Sequence, residues 1–149
     1  MKTYMTVTRK GLAAAFLCTL IAILVSGQFY AAGNRTQNAN TNAQRVYFIK
    51  SLGLLPDEEN SKCKNIIVPE TFSDVYKNYN DLQIEAGYDL SAYKGVEAKM
   101  FTYPVGKIKE DNSDDYYVNI IVYKGRIIGG DISSRNFYGE MLPLVRLKG

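Results

Sequence analysis

The sequence predicts an α+β fold. A small antiparallel sheet is packed by one main amphipathic helix, with an N-terminal helix and a transmembrane or signal segment ahead of them. Three observations carry this reading. Phe72, Val75, Tyr76, Tyr79, Leu82 and Ala86 recur at spacings of three and four, the period of one helix face. The β-rich runs from Val96 to Tyr103 and from Tyr116 to Ser133 follow, and they are the one large surface that can bury such a stripe. Far upstream, Gly11 to Val25, GLAAAFLCTLIAILV, carries no charge.

That uncharged run follows ten polar and basic residues, and SGQFYAA extends it to Ala32. Its length lies between the roughly 20 apolar residues of a spanning helix and the about 7 to 15 of a signal-peptide core. Gly27 and Gly33 each offer a cleavage point, though neither follows the favoured Ala-x-Ala pattern, and Leu17 before Cys18 argues against lipidation. Positive charge ahead of the segment, with only Arg35 soon after it, places the N-terminus inside the cell and residues 33–149 outside. A retained anchor is favoured over a cleaved signal. The expected organisation is a signal-anchor or signal peptide over residues 1–32, a flexible polar tether over 33–42 and an extracytoplasmic domain over 43–149.

Composition excludes several function classes. The net charge of +3 comes wholly from Lys2, Arg9 and Lys10, so the exported part is balanced. Nucleic-acid binders carry a clustered basic surplus, so no nucleic-acid partner is expected. There is no histidine, which removes Ser-His-Asp and Cys-His nucleophile pairs and histidine-based zinc sites. Of the two cysteines, Cys18 lies in the apolar segment and Cys63 in a polar loop, and neither belongs to a C-x-x-C. No cofactor and no metal are expected.

In chain order, Thr41 and Gln44 have capping-box spacing and open the first helix, whose stripe is Val46, Ile49 and Leu52 with Phe48 beside it. Gly53 ends it and Pro56 prevents its resumption. Asp57 to Lys64 reads as a charged surface loop, and Ile66 to Val68 as a short strand closed by Pro69. Thr71 with Asp74 caps the main helix, placed at about Glu70 to Ala86 and ended by Gly87; Asp89 to Tyr93 makes one more helical turn, stopped by Gly95. Val96 to Tyr103 alternates and Pro104 ends it. The acidic run from Glu110 to Asp115 lacks the central glycine and terminal glutamate of an EF-hand. Lys124-Gly125 joins Tyr116–Tyr123 to Arg126–Ser133 as a tight hairpin, and Gly129-Gly130 suggests a bulge or a close backbone approach. Order signals are weak from Asn136 onward, with Met141 to Leu144 packing on the sheet.

PETFSDVYKNYNDLQIEAGYDLSAYKG, the Tyr-Pro-terminated strand and VNIIVYKGRIIGGDIS together resemble the bacterial domain-of-unknown-function family 4830. QRVYFIKSLGL and IIVP are similar to its opening, so the resemblance covers roughly residues 43–134. Family members are small Gram-positive proteins with one N-terminal membrane segment or a lipoprotein signal, which implies the topology argued above. The resemblance brings no activity, cofactor or catalytic residue. The chain departs from the family in its C-terminal tail and in Lys124, where asparagine is common; that departure bears on the turn type.

The expected function is a non-enzymatic binding or sensing domain on the outer face of the membrane, held there by residues 11–32, with a protein or peptide among its partners. Ten tyrosines lie beyond residue 32. Tyr76 and Tyr79 are expected to fill the helix–sheet interface, and Tyr88, Tyr93, Tyr103 and Tyr116 to form an exposed binding surface. An alternative is a regulatory or inhibitory accessory of another membrane protein, received along an exposed sheet edge. A third reading is a cell-envelope hydrolase with paired carboxylates, for which Asp131 and Asp89 are the candidates.

Overall fold

The computed structural model describes residues 37–108, 115–136 and 138–146. The apolar segment 11–32 and the acidic residues 110–114 lie outside them. Among the described residues, no helix is long and apolar enough to cross a membrane.

Helix α1, Asn42–Ser51, starts at the expected capping box. Thr41 Oγ1 accepts from Gln44 N and Gln44 Oε1 accepts from Thr41 N, each at 3.2 Å. Val46, Phe48, Ile49 and Leu52 are buried, and Gly53 leaves the helix at φ +86°. The residues ahead of α1 are held as well: Ala39 N donates to Gly125 O at 2.8 Å and Ile127 N to Gln37 O at 3.0 Å. From Gln37 onward the expected tether is thus part of the folded unit.

Five strands, β1 (Lys62–Ile67), β2 (Glu97–Gly106), β3 (Tyr116–Tyr123), β4 (Arg126–Ser134) and β5 (Met141–Pro143), pair in sequence order, each antiparallel to the next. Helix α2, Asp74–Glu85, lies between β1 and β2 in the chain and is followed by a short 3-10 turn, Leu90–Tyr93. The sheet is covered on both faces, so the expectation of one main packing helix needs correcting. On the first face, α1 joins Tyr103, Tyr116, Val118, Ile120, Ile127 and Ile132 in the larger core cluster. On the second, Val68, Leu90, Ala98, Ile121 and Ile128 are buried, with Phe72, Tyr76 and Tyr79 packed against them from α2 and its lead-in.

Three expected boundaries move. β1 starts at Lys62 rather than Ile66 and takes in Cys63, because an edge strand with solvent beside it needs no apolar alternation to persist. β2 runs through Pro104 to Gly106: the Pro104 carbonyl accepts from Asp57 N at 2.8 Å, away from β3, so the donor that proline lacks faces the same outer side. Helix α2 starts at Asp74, because Ser73 rather than Thr71 caps it, accepting from Tyr76 N at 3.3 Å.

The expected stripe of α2 is also rotated. Val75 is 80% exposed, while Asn80 and Gln83 are buried. Both polar side chains replace water with backbone and side-chain partners. Asn80 Oδ1 accepts from Leu90 N at 2.8 Å and Gln83 Oε1 from Gly130 N at 2.6 Å, while the Gln83 amide donates to Tyr79 O at 3.3 Å.

The β3–β4 turn has Lys124 at φ 46° and Gly125 at φ 74°, the pair of positive values of a type I′ hairpin. Lys124 is the one non-glycine residue with positive φ among those described. A left-handed conformation costs about 1–2 kcal/mol for an ordinary side chain and less for asparagine. Lys124→Asn is expected to raise stability by about 0.5–1 kcal/mol, the gain reduced by losing the ammonium from its place 5.1 Å over the Tyr123 ring. Urea unfolding of the two proteins checks this.

Candidate functional site

The second sheet face carries an apolar cluster packed by α2 and the 3-10 turn and, beside it, a polar part that runs from the exposed Lys62 to Asp131 beneath Tyr79. The polar part is one cross-strand row. Lys62 on β1 lies opposite Thr102 on β2, Thr102 opposite Asn119 on β3, and Asn119 opposite Asp131 on β4. Strands lie about 4.8 Å apart, so the row crosses roughly 14 Å of sheet. Its inner members are bonded in series. The Thr102 hydroxyl donates to Asn119 Oδ1 at 2.7 Å, and Asn119 Nδ2 donates to Asp131 Oδ1 at 2.8 Å and to Ser133 Oγ at 3.1 Å. From α2, the Tyr79 hydroxyl donates to Asp131 Oδ2 at 2.9 Å.

The hairpin register makes this row. Counting back from Lys124-Gly125 without interruption would set Asn119 opposite Gly130 and turn Asp131 toward the apolar core of the first face. Instead, Val122 pairs with Ile127 and Ile121 with Gly129, leaving Ile128 as the extra residue of a β-bulge. That one-residue shift puts Asn119 and Asp131 side by side on the second face.

Asp131 is 2% exposed, and burial pushes its carboxyl above the usual range, against the opposing pull of hydrogen bonds from Asn119, Tyr79 and Ser133 and of the Lys64 charge. The Tyr79 hydroxyl is pushed up too, first by burial and then by the Asp131 charge. An acid whose folded pKa is raised holds its proton more firmly in the native state than in the unfolded chain. Its contribution to stability is fully present below the unfolded value of about 3.9 and is lost as pH rises through the folded value. Asp131→Asn removes this titration. Plotted against pH from about 3.9 upward, the stability difference between wild type and variant is expected to shift steadily in favour of the variant; a pH-independent difference in urea unfolding overturns it.

At the uncovered end of the row the sheet surface forms a cleft of about 660 Å³. Asp57, Asn60, Lys62, Cys63, Lys64, Met100, Thr102, Pro104, Tyr117 and Arg135 line it. Lys62 and Lys64 alternate with Cys63 along β1, so both reach this face. Among the described residues, neither lysine has a carboxylate within ion-pair distance. Arg135 lies with its guanidinium carbon 5.2 Å from the Tyr117 ring centroid and donates through Nη1 to Asp115 at 3.2 Å. Asp57 is occupied by Asn60, whose side-chain and backbone donors hold its carboxyl below the usual range.

The four tyrosines expected to form an exposed surface do not do so. Tyr88, Tyr103 and Tyr116 are buried in the core of the first face. Tyr93 is half-buried on the second face, its ring edge-on to Tyr123 with centroids 6.0 Å apart. Polar partners explain the burial of two of them. The Tyr103 hydroxyl accepts from Arg45 Nε at 2.8 Å and donates to Asn42 Oδ1 at 2.7 Å, and the Tyr116 hydroxyl donates to Glu140 Oε1 at 2.8 Å. Tyr76 and Tyr79 do pack at the helix–sheet interface. Of the two candidate acids, Asp89 caps the 3-10 turn by accepting from Ser91 N at 2.8 Å, and hydrogen bonds from Ser91 and Asn80 lower its pKa. A desolvated general acid needs the opposite shift.

Sequence reasoning passed over Lys62, Lys64, Thr102, Asn119 and Ser133. The available signal was a lone polar residue inside each apolar strand, MFTYP, YYVNIIVY and GGDIS. It becomes a site only when the register aligns them. Among the described residues, no group of three or more His, Cys, Asp or Glu side chains gathers to hold a metal.

A family model described as a domain of unknown function (DUF4830) matches residues 41–132. The chain belongs to that family. No curated protein and no solved structure matches it. The stretch common to the DUF4830 family runs from the α1 cap to Ile132 in β4, so it holds the whole row from Lys62 to Asp131, while Arg135 and β5 lie beyond it.

Proposed function

We propose that this DUF4830 protein is a non-enzymatic binding or sensing domain, held at the outer face of a membrane by residues 11–32, with the β1–β3 cleft as its ligand site. The observation that carries the reading is the cleft itself. Its volume falls within the roughly 300–1,000 Å³ typical of small-molecule sites, and two members of the cross-strand row, Lys62 and Thr102, line it. Side chains set on paired strands and open to solvent suit recognition. The lack of histidine and the capping role of Asp89 favour binding over hydrolysis.

The free edge of β1 supports a second reading, an accessory to another membrane protein. Among the described residues β1 pairs on one side only, and a partner strand could add to the other.

Placement is tested by fractionating cells that express the full chain and treating intact spheroplasts with protease. The expected result is recovery in the membrane fraction with the domain degraded; intact polypeptide in the cytosol overturns it. The site is tested by amide-shift mapping of the detergent-solubilised chain against a small-molecule library. Saturable shifts at Lys62–Lys64, Thr102 and Tyr117 are expected, and hits that cluster only elsewhere overturn the assignment.

A further inference from the structure

We propose that the cleft takes a small organic oxyanion, a carboxylate or a phosphate, bound by Lys62, Lys64 and Arg135 with the Tyr117 hydroxyl beside them; this rests on the cleft being the ligand site. The first argument is charge placement. Lys62 and Lys64 stand two residues apart on one face of one strand, roughly 7 Å between their Cα atoms. Neither is in an ion pair among the described residues, and both line the same cleft. Two like charges facing one concavity repel each other, and an anion between them relieves this.

The second argument is the state of the neighbouring acids. Asp57, which lines the cleft, is taken up by Asn60, and Asp115 by Arg135, so both carboxylates already have donors of their own. Asp131 lies beneath the surface, each oxygen accepting one hydrogen bond, from Tyr79 and from Asn119, and burial favours its neutral form. Among the described residues neither ammonium group has an ion-pair partner, so both can turn toward an acceptor that enters the cleft, while the Lys64 charge also acts on Asp131. An oxyanion supplies several acceptors in one compact group, which is the match for converging cationic donors. The Tyr117 ring, half-buried on the cleft floor, offers an apolar surface for the organic part of the same ligand.

The test uses the full chain in a neutral detergent, labelled with ¹⁵N, titrated separately with inorganic phosphate, pyrophosphate and succinate at constant ionic strength set by sodium chloride. The expected result is saturable amide shifts at Lys62–Lys64, Thr102 and Tyr117 with at least one of these anions. The double variant Lys62→Gln, Lys64→Gln is expected to weaken binding about tenfold or more, the usual worth of a lost charge-assisted hydrogen bond. Both positions are exposed, so an unchanged urea midpoint for the double variant shows the fold intact. Pyrophosphate binding more tightly than succinate assigns a phosphate ligand, and the reverse order a carboxylate. Equal affinity in wild type and double variant, or shifts that chloride reproduces, overturns the proposal. If neutral compounds saturate the same amides while all three anions fail, the oxyanion is wrong and the cleft stands. If nothing shifts these amides, both fall together.

Discussion

Gly130→Ala is expected to destabilise the domain by roughly 3–5 kcal/mol. Two independent terms add. Gly130 sits at φ +148°, a region that side chains with a Cβ rarely adopt, at a cost of order 1–3 kcal/mol. A Cβ there would also run into the Asn119 carbonyl oxygen and Leu144 Cδ1, which are backbone and buried core and cannot give way cheaply. Gly53→Ala separates the two terms. Its φ of +86° is also unfavourable, but nothing lies within 4 Å of the added methyl, so a loss of only about 1–2 kcal/mol is expected. Urea unfolding of both variants measures the difference; equal losses would show that crowding at Gly130 contributes nothing. Gly130 also carries the amide that Gln83 accepts and follows the bulge that aligns Asn119 with Asp131. A surviving Gly130→Ala fold is therefore expected to lose the Asp131 titration as well.

Arg45→Ala is expected to cost about 3–4 kcal/mol. Arg45 is buried, yet no carboxylate lies within ion-pair distance of it among the described residues. Its guanidinium is satisfied otherwise: Nε donates to the Tyr103 hydroxyl at 2.8 Å and Nη1 to Ala39 O at 2.8 Å and Asn40 O at 3.3 Å, while the carbon lies 3.7 Å over the Phe101 ring. From the guanidinium a chain of hydrogen bonds runs outward through neutral groups, Tyr103 to Asn42 and Asn42 to Glu58 Oε2 at 2.8 Å. Removing the guanidinium leaves Ala39 O without this donor and hollows the space over Phe101. Arg45→Met, which keeps the packing and loses only the donors, is expected to fall about midway between wild type and alanine. A second readout identifies the mechanism. The Ala39 and Ile127 amides, which tie residues 37–39 to the β3–β4 hairpin, are expected to lose hydrogen-exchange protection in Arg45→Ala well before the strands do. Uniform loss across the sheet would show that Arg45 acts on the core alone.

Much of the local structure was legible in the residues because its determinants are local. The Thr41–Gln44 box, the Gly53 exit and the Lys124-Gly125 hairpin each depend on side chains within four residues of one another. The placement of Tyr76 and Tyr79 at the interface followed from spacing alone. The rotation of α2 did not, because hydropathy assigns asparagine and glutamine to water, while Asn80 and Gln83 meet Leu90 N and Gly130 N inside the fold. The tyrosine surface failed for a related reason. A hydroxyl reads as a tip that must reach solvent, yet Arg45, Asn42 and Glu140 bring acceptors and donors to Tyr103 and Tyr116 within the core.

By itself the sequence determined the α+β class, the first helix and its cap, the hairpin turn, membership of the DUF4830 family and the absence of histidine chemistry. Only the tertiary structure decided which polar groups became a site. Thr102 and Asn119 are unremarkable as letters, Asp131 stood out only as an acid inside a strand, and a bulge at Ile128 separates a bonded row from an acid thrust into the apolar core. Strand register is a long-range property: a slip of one residue exchanges the faces of every side chain beyond it, and no local spacing records that slip.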